Sequence, residues 1–315
     1  MHKEKIYSKT WLKRANTINK SIKNVSVDNF YLYSSFTGFY ETPSPFIYSK
    51  NSIAGHKNTP IFFDFHRNLR IVRNLINYHK RYLELKRDDY FNKVGEFLPY
   101  IKDSGTSNKI FEPFYSNFKQ RKMNGIFLKC SEQAFNIDSA IPTDNLNIIC
   151  EIGGGFGAMA EIMIKRYNPN FYIIIDLPET LKVSKMYLNH VFPGKVHHFN
   201  ETNISKLLIK KDLNVLLVDF NKYTHIKKYF PSINLFINSN SFGEMEIKMV
   251  KEYFIFIESY SNVYLSNTNR NNRKEGGYLY NKKSYPYLDD WIEKYSNYQK
   301  IEEYKNNHQI ITYLP

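Results

Sequence analysis

Residues 148–161 read IICEIGGGFGAMAE, and this stretch decides the fold. A short apolar strand, expected over Asn147 to Ile152 and carrying Glu151, passes into Gly153-Gly154-Gly155-Phe156-Gly157 and a helix-forming segment. A chain that leaves a strand and enters a helix within a few residues must reverse sharply, and glycine tolerates the dihedrals that this requires. Backbone without side chains also lets a ligand approach closely, and the free N–H groups at the helix start attract a negative group. Downstream, residues 171–176 read FYIIID, a β-branched run closed by Asp176. A strand of that composition, ending on a carboxylate, is the expected partner of the first.

Working outward, the same grammar repeats. Pro178 stands where a helix begins, residues 179–191 continue it, and Pro193-Gly194 ends it. Residues 214–218 (NVLLV), 233–238 (INLFIN) and 262–265 are strand candidates, with helices expected over 244–260 and 286–298. The tail, 298–314, reads as two strands joined at Asn306-Asn307, an antiparallel hairpin. Alternating strands and helices predict an α/β fold with a mostly parallel sheet covered on both faces. Before residue 145 the pattern differs. Gly38, Pro43, Pro45, Gly55 and Pro60 mark loops, residues 63–87 have helical spacing with a basic outer face, and a second helix is expected over about 115–137. The expected division is a mainly helical N-terminal region at 1–144, serving substrate, lid or dimer contacts, and a ligand-binding α/β domain at 145–315.

Composition narrows the setting. The 315 residues are 42% hydrophobic and 17% aromatic, the make-up of a folded chain. No run reaches the roughly 18 to 20 apolar residues of a membrane span, and the first residues, MHKEKIYSKTW, lack the apolar core of a secretory signal. Only Cys130 and Cys150 carry thiols, too few for a disulfide framework or a cysteine-rich zinc site. A reduced, cytoplasmic location is expected. The net charge of +14 is spread along the chain without blocks of five or six basic residues. That pattern argues against nucleic acid as partner and is compatible with an acidic or nucleotide-linked small molecule or glycan.

The glycine turn admits two ligand classes. Read as Gly153-x-Gly155-x-x-Ala158 with Asp176 downstream, it matches a dinucleotide fingerprint, and an NAD(P)-dependent oxidoreductase is the alternative. Glu151 favours S-adenosylmethionine (SAM) instead: a carboxylate there suits the cationic amino group of SAM and repels a pyrophosphate. Asp176 can accept from the ribose diol or serve as a helix cap. Asp219-Phe220, after the strand 214–218, can meet the adenine amine and ring, or be a loop acid beside a core aromatic. A nucleic-acid-binding protein that keeps the fold is a third reading.

The runs IICEIGGGFGAMAE, FYIIIDLPETL, YLNHVFPG and LFINSNSFGEM together resemble the bacterial sugar O-methyltransferase family, over roughly residues 145–270. The resemblance implies a Rossmann-like class I methyltransferase with a seven-stranded central sheet, SAM as donor, S-adenosylhomocysteine (SAH) as product and a sugar hydroxyl as acceptor. It implies cofactor contacts at Glu151, Gly153, Gly155, Gly157 and Asp176, to which the flanking Phe156, Leu177, Asp219, Phe220, Asn238 and Ser239 are added as candidates. The segment 238–245 stands alone as a polar cluster after an apolar strand, with Ser241 and Met245 as substrate candidates. It also reads as a capping box, Ser241 with Glu244. Methyl transfer to a sugar hydroxyl benefits from a general base. Glu244 is the first candidate; His198, His197 and His190 come next, and since His197 and His198 point to opposite faces of a strand, at most one of that pair is expected to reach the site. Arg270, in the polar run 267–280, is a candidate contact for an acidic group. No metal-ligand spacing emerges, and a homodimer is compatible with everything read so far.

Overall fold

The computed structural model describes residues 15–20, 22–24, 26, 76, 80, 83, 88–99, 125–209, 212–242, 245, 247–268, 299–304 and 309–314. In chain order the elements are α1 (Asp89–Gly95), α2 (Gly125–Ala140), β1 (Ile148–Ile152), α3 (Ala158–Tyr167), β2 (Phe171–Asp176), α4 (Pro178–Val191), β3 (Val196–His198), α5 (Glu201–Leu208), β4 (Asn214–Asp219), β5 (Leu235–Ser239), α6 (Ile247–Glu258), β6 (Val263–Thr268), β7 (Gln299–Tyr304) and β8 (Gln309–Leu314). Residues 15–20 are also helical.

The strands form one sheet in the order β3-β4-β2-β1-β5-β6-β8-β7. The first six run parallel, and the terminal hairpin adds β8 antiparallel to β6 and β7 antiparallel to β8. The expected Rossmann-like α/β architecture is present, with one correction: the described strands number eight, not seven. The additional strand is Val196–His198, a three-residue element pairing with β4 at the sheet's outer edge. It carries the two histidines that strand alternation places on opposite faces.

Parallel strands buried on both faces need apolar side chains in both directions, which is why FYIIID reads as a continuous run. Ile149, Tyr172, Ile174, Leu217 and Ile237 pack with residues of α2, α3 and α4. Cys150, Ile152, Ile173, Ile175, Leu216 and Val218 pack with α5 and α6 on the other face. The 15–20 helix touches both groups: Ala15 joins the second and Ile18 the first. Helix α2 occupies part of the span expected at 115–137 and continues to Ala140. Residues 76, 80 and 83 of the expected 63–87 helix are helical; its other residues, the 28–61 loop and the 286–298 helix lie outside the described residues.

Topology sets the site. β1, β2 and β4 run side by side, and β5 and β6 lie on β1's other flank, so their carboxyl ends share one edge of the sheet. In register, Asp176 lies opposite Asp219, Ile152 opposite Asn238, and Ser239 opposite Thr268. This edge is where open α/β sheets take their ligands.

Gly157 holds the first turn of α3 against α4. Its φ is +105°, and a Cβ there would lie 2.8–2.9 Å from the Leu188 side chain. Gly157→Val is therefore expected to lower folding stability by about 2–4 kcal/mol. Equilibrium urea unfolding checks this, and an unchanged midpoint contradicts it.

Candidate active site

The turn after β1 is built from both sides. Gly153 N donates to Ile175 O at 2.8 Å, fastening the turn to β2, while Gly157 N donates to Gly154 O at 3.0 Å to close it. From the β5 side, Ser241 Oγ donates to Gly153 O at 2.9 Å. Gly153, Gly155 and Gly157 all have left-handed backbone, with φ of 76°, 58° and 105°.

The glycines differ in what they face. A Cβ on Gly153 would lie 2.0 Å from Ser241 Oγ, and one on Gly154 would lie 2.8 Å from Ile174 Cγ2. With Gly157 against Leu188, three of the four are filled by protein. Gly155 is the exception: nothing lies within 4 Å of where its Cβ would be. Its N–H donates to Asp176 Oδ2 at 3.0 Å, and its carbonyl accepts from Ser184 Oγ at 2.6 Å. The open cradle is thus one residue wide, held from α4 and bordered by a carboxylate.

Asp176 accepts a second bond, from Leu177 N at 2.7 Å. The N-cap of α4 is Leu177, with no side-chain cap bond, so Asp176 braces the turn and is not the cap residue. One oxygen thus accepts from Gly155 N and the other from Leu177 N, which fixes the carboxylate at the carboxyl edge of the sheet.

Glu151 lies beneath the turn. It is 1% exposed, accepts from Tyr172 OH at 2.9 Å, and its Oε2 would lie 3.1 Å from a Cβ on Gly154. Burial pushes its pKa up to about 8; the Tyr172 hydrogen bond pulls the other way and the Asp176 charge adds to the rise. Burial thus favours the neutral acid and weakens the repulsion of a pyrophosphate expected from its charge. A cation brought close would favour the ionised form.

The remaining candidates divide. Asp219 Oδ1 accepts from Asn221 N and Nδ2, both at 3.0 Å, next to Asp176 at the carboxyl edge. Leu177 is partly buried against the core, and Phe220 and Phe156 are core residues. Phe156 stacks edge-on with Tyr187 at 4.9 Å. Asn238 is fully buried: Oδ1 accepts from Ser241 N at 3.1 Å and Phe242 N at 3.0 Å, and Nδ2 donates to Asn267 Oδ1 at 2.6 Å. Asn238 thereby supplies the turn's cap, while the Ser241 hydroxyl goes to Gly153. Ser239 Oγ donates to Gln133 Oε1 at 2.7 Å. Met245 packs partly against the core. His198 sits on β3, separated from β1 by β4 and β2. That is about 14 Å at the usual strand spacing, so the fold does not bring it to the turn. Glu244 and Arg270 lie outside the described residues.

Gln133 was not singled out in the sequence. From α2 its Nε2 donates to Asn238 O at 3.2 Å and to Ser266 Oγ at 3.0 Å, tying together the ends of β5 and β6. A lone glutamine 105 residues from its partner leaves no local signal. Ser184, which grips Gly155 from α4, is equally silent. Among the described residues, no group of three or more metal-ligating side chains is present, and no helix is long and apolar enough to cross a membrane.

Residues 88–221 match the family model described as an O-methyltransferase domain. The match runs from the start of α1 past the end of β4, so it takes in α2 as well as the turn. No curated protein matches the chain. Among solved structures, the methyltransferase domain of bacterial CtHen1 shares 12% identity over 59% of this chain and 100% of its own, with a TM-score of 0.40. The O-methyltransferase family 2 protein of Planctomyces limnophilus, complexed with apigenin, shares 13% over 67% of this chain and 69% of its own, at 0.39. The rRNA methyltransferase AviRa of Streptomyces viridochromogenes shares 10% over 60% and 84%, at 0.37. At such identities and scores these likenesses say nothing of this chain's substrate.

The domain matched, the sheet order and the glycine turn define a SAM-dependent methyltransferase carrying an O-methyltransferase domain. Its cofactor is SAM, and the residues fit it: an open left-handed glycine for close backbone approach, with a hydrogen-bonding carboxylate beside it.

The raised pKa of Glu151 has a sign. An acid whose folded pKa exceeds its unfolded value gives stability that is full below about pH 4.5 and falls as pH rises toward about 8. Glu151→Gln removes that loss. Thermal unfolding between pH 5 and 9 is expected to show a falling Tm in the parent and a flatter profile in the variant; equal slopes contradict it.

Proposed function

We propose that the chain transfers the methyl group of SAM to a hydroxyl of a sugar or glycan precursor, releasing SAH. The observation that carries the cofactor half is Gly155, open and left-handed, with its N–H on Asp176. The acceptor half rests on the runs DLPET and NSNSFGEM and their resemblance to sugar O-methyltransferases, and on the cationic charge of +14, which suits an acidic or nucleotide-linked acceptor.

In this reading Gly155 admits the cofactor to the backbone and Asp176 accepts from the ribose diol. Asp219, next in register, receives the adenine amine. Gly153 and Gly157 serve by letting Ser241 and Leu188 pack against the turn. Glu151 acts through the turn's floor: an approaching cation draws off its proton, and the resulting charge favours a cationic ligand. Bound SAM supplies an activated methyl group, and the chain's task is orientation, which alone is worth several kcal/mol. Asn238 and Gln133 keep the end of β5 rigid for that purpose. Glu244 is the proposed general base that takes the hydroxyl proton. Ser241, Met245 and Arg270 are the proposed acceptor contacts, residues 1–144 the region that supplies lid or dimer contacts, and the cytoplasm the proposed location.

Calorimetric titration separates SAM chemistry from the nicotinamide alternative. Saturable SAH binding without NAD binding is expected; the reverse overturns the reading. Gly155→Val, which places a side chain in the cradle and strains φ at +58°, is expected to weaken SAH binding at least tenfold. Transfer of labelled methyl from SAM to a panel of nucleotide sugars tests the acceptor class, and loss of turnover at intact SAH affinity in Glu244→Gln tests the base.

A further inference from the structure

We propose that the helix at residues 15–20 is the outer wall of the cofactor cradle, closing over the adenosine end of the bound donor and setting the rate at which SAH leaves. The proposal rests on the SAM reading above.

Ala15 is buried with the residues of one sheet face and Ile18 with those of the other. A short helix that reaches both faces has to lie across an end or an edge of the sheet. Its polar contacts say which: Asn19 Nδ2 donates to Glu179 Oε1 at 3.3 Å, and Lys182 Nζ donates to Asn19 Oδ1 at 2.8 Å. Glu179 and Lys182 belong to the first turns of α4, which starts at Pro178, directly after Asp176 and Leu177. The helix therefore crosses the carboxyl edge where β2 ends, beside the carboxylate that borders the Gly155 cradle.

A second observation comes from the same turn. Thr180 is 6% exposed, and its Oγ1 is buried without a hydrogen-bond partner. A buried hydroxyl left unpaired is costly, and such atoms in native structures call for an explanation. It lies one residue from the glutamate that Asn19 grips and four from Asp176 in sequence. A ligand held between this turn and the glycine turn supplies the missing partner.

Ala15 and Ile18 anchor the helix by burial, and Asn19 ties it to α4. A short helix can open locally without unfolding the domain. Opening admits SAM and releases SAH, and closing keeps water from the site during transfer.

The test uses the full-length protein and SAH as the probe. Hydrogen exchange at the amides of residues 15–20 is expected to slow when SAH is added. Asn19→Ala, at a surface position, is expected to raise the SAH dissociation rate about threefold to tenfold with an unchanged urea midpoint. If the parent binds SAH while exchange at 15–20 and the dissociation rate in Asn19→Ala stay as they were, the wall is wrong and the SAM reading stands. If the parent binds no SAH, the SAM reading itself fails and the wall falls with it.

Discussion

The backbone between Ile152 and Ala158 has to turn left-handed three times, and the rest of the site is arranged around that requirement. A turn of this kind does not hold itself in place; side chains and strands on either flank hold it. Ile175 of β2 takes the Gly153 N–H, Ser241 after β5 takes the Gly153 carbonyl, and Asp176 takes the Gly155 N–H. The two strands that neighbour β1 thus each contribute a clamp. Ser184 of α4 adds a fourth hold, on the Gly155 carbonyl. What is left free is one open position, which is all that a ligand needs to reach bare backbone.

Below that turn lies a polar layer that an apolar core alone would not supply. Gln133, Asn238, Ser239, Ser266 and Asn267 are joined by hydrogen bonds across α2, β5 and β6, and Glu151 is joined to Tyr172 between β1 and β2. Satisfied networks of this sort specify one arrangement, because any slip strands buried polar groups. The network also shows how far the N-terminal half enters the sheet domain. Gln133 precedes residue 145, where the sequence grammar changes, yet its amide binds strand ends that come 105 and 133 residues later.

At the opposite flank, among the described residues, the sheet ends on β3. β3 is three residues long, and Lys185, His197, His198 and Lys206 surround a cavity of about 520 Å³ beside it. Short edge strands ringed by lysines resist pairing with another chain. Burial, with the nearby charge of Lys185, lowers the pKa of His198. That environment favours a neutral imidazole, and it belongs to the edge of the sheet, not to the glycine turn.

Much was legible in the chain itself. The elements from Ile148 to Val191, the strands Asn214–Asp219 and Leu235–Ser239, the turn at Gly153–Gly157 and the carboxylate at Asp176 follow from local composition, since β-branched runs, glycines and caps act over a few residues; helix α5 is not among the elements expected there. Tertiary structure alone decided which glycine is open, that Glu151 is buried under the turn, that Asn238 and Phe156 face inward, and that His198 is strands away. Glu151 meets Tyr172 21 residues away and Asn238 meets Gln133 105 residues away, and sequence neighbours carry no record of that. Period and propensity are local physics, whereas exposure, protonation and the openness of a cradle are set by whatever the fold packs against it.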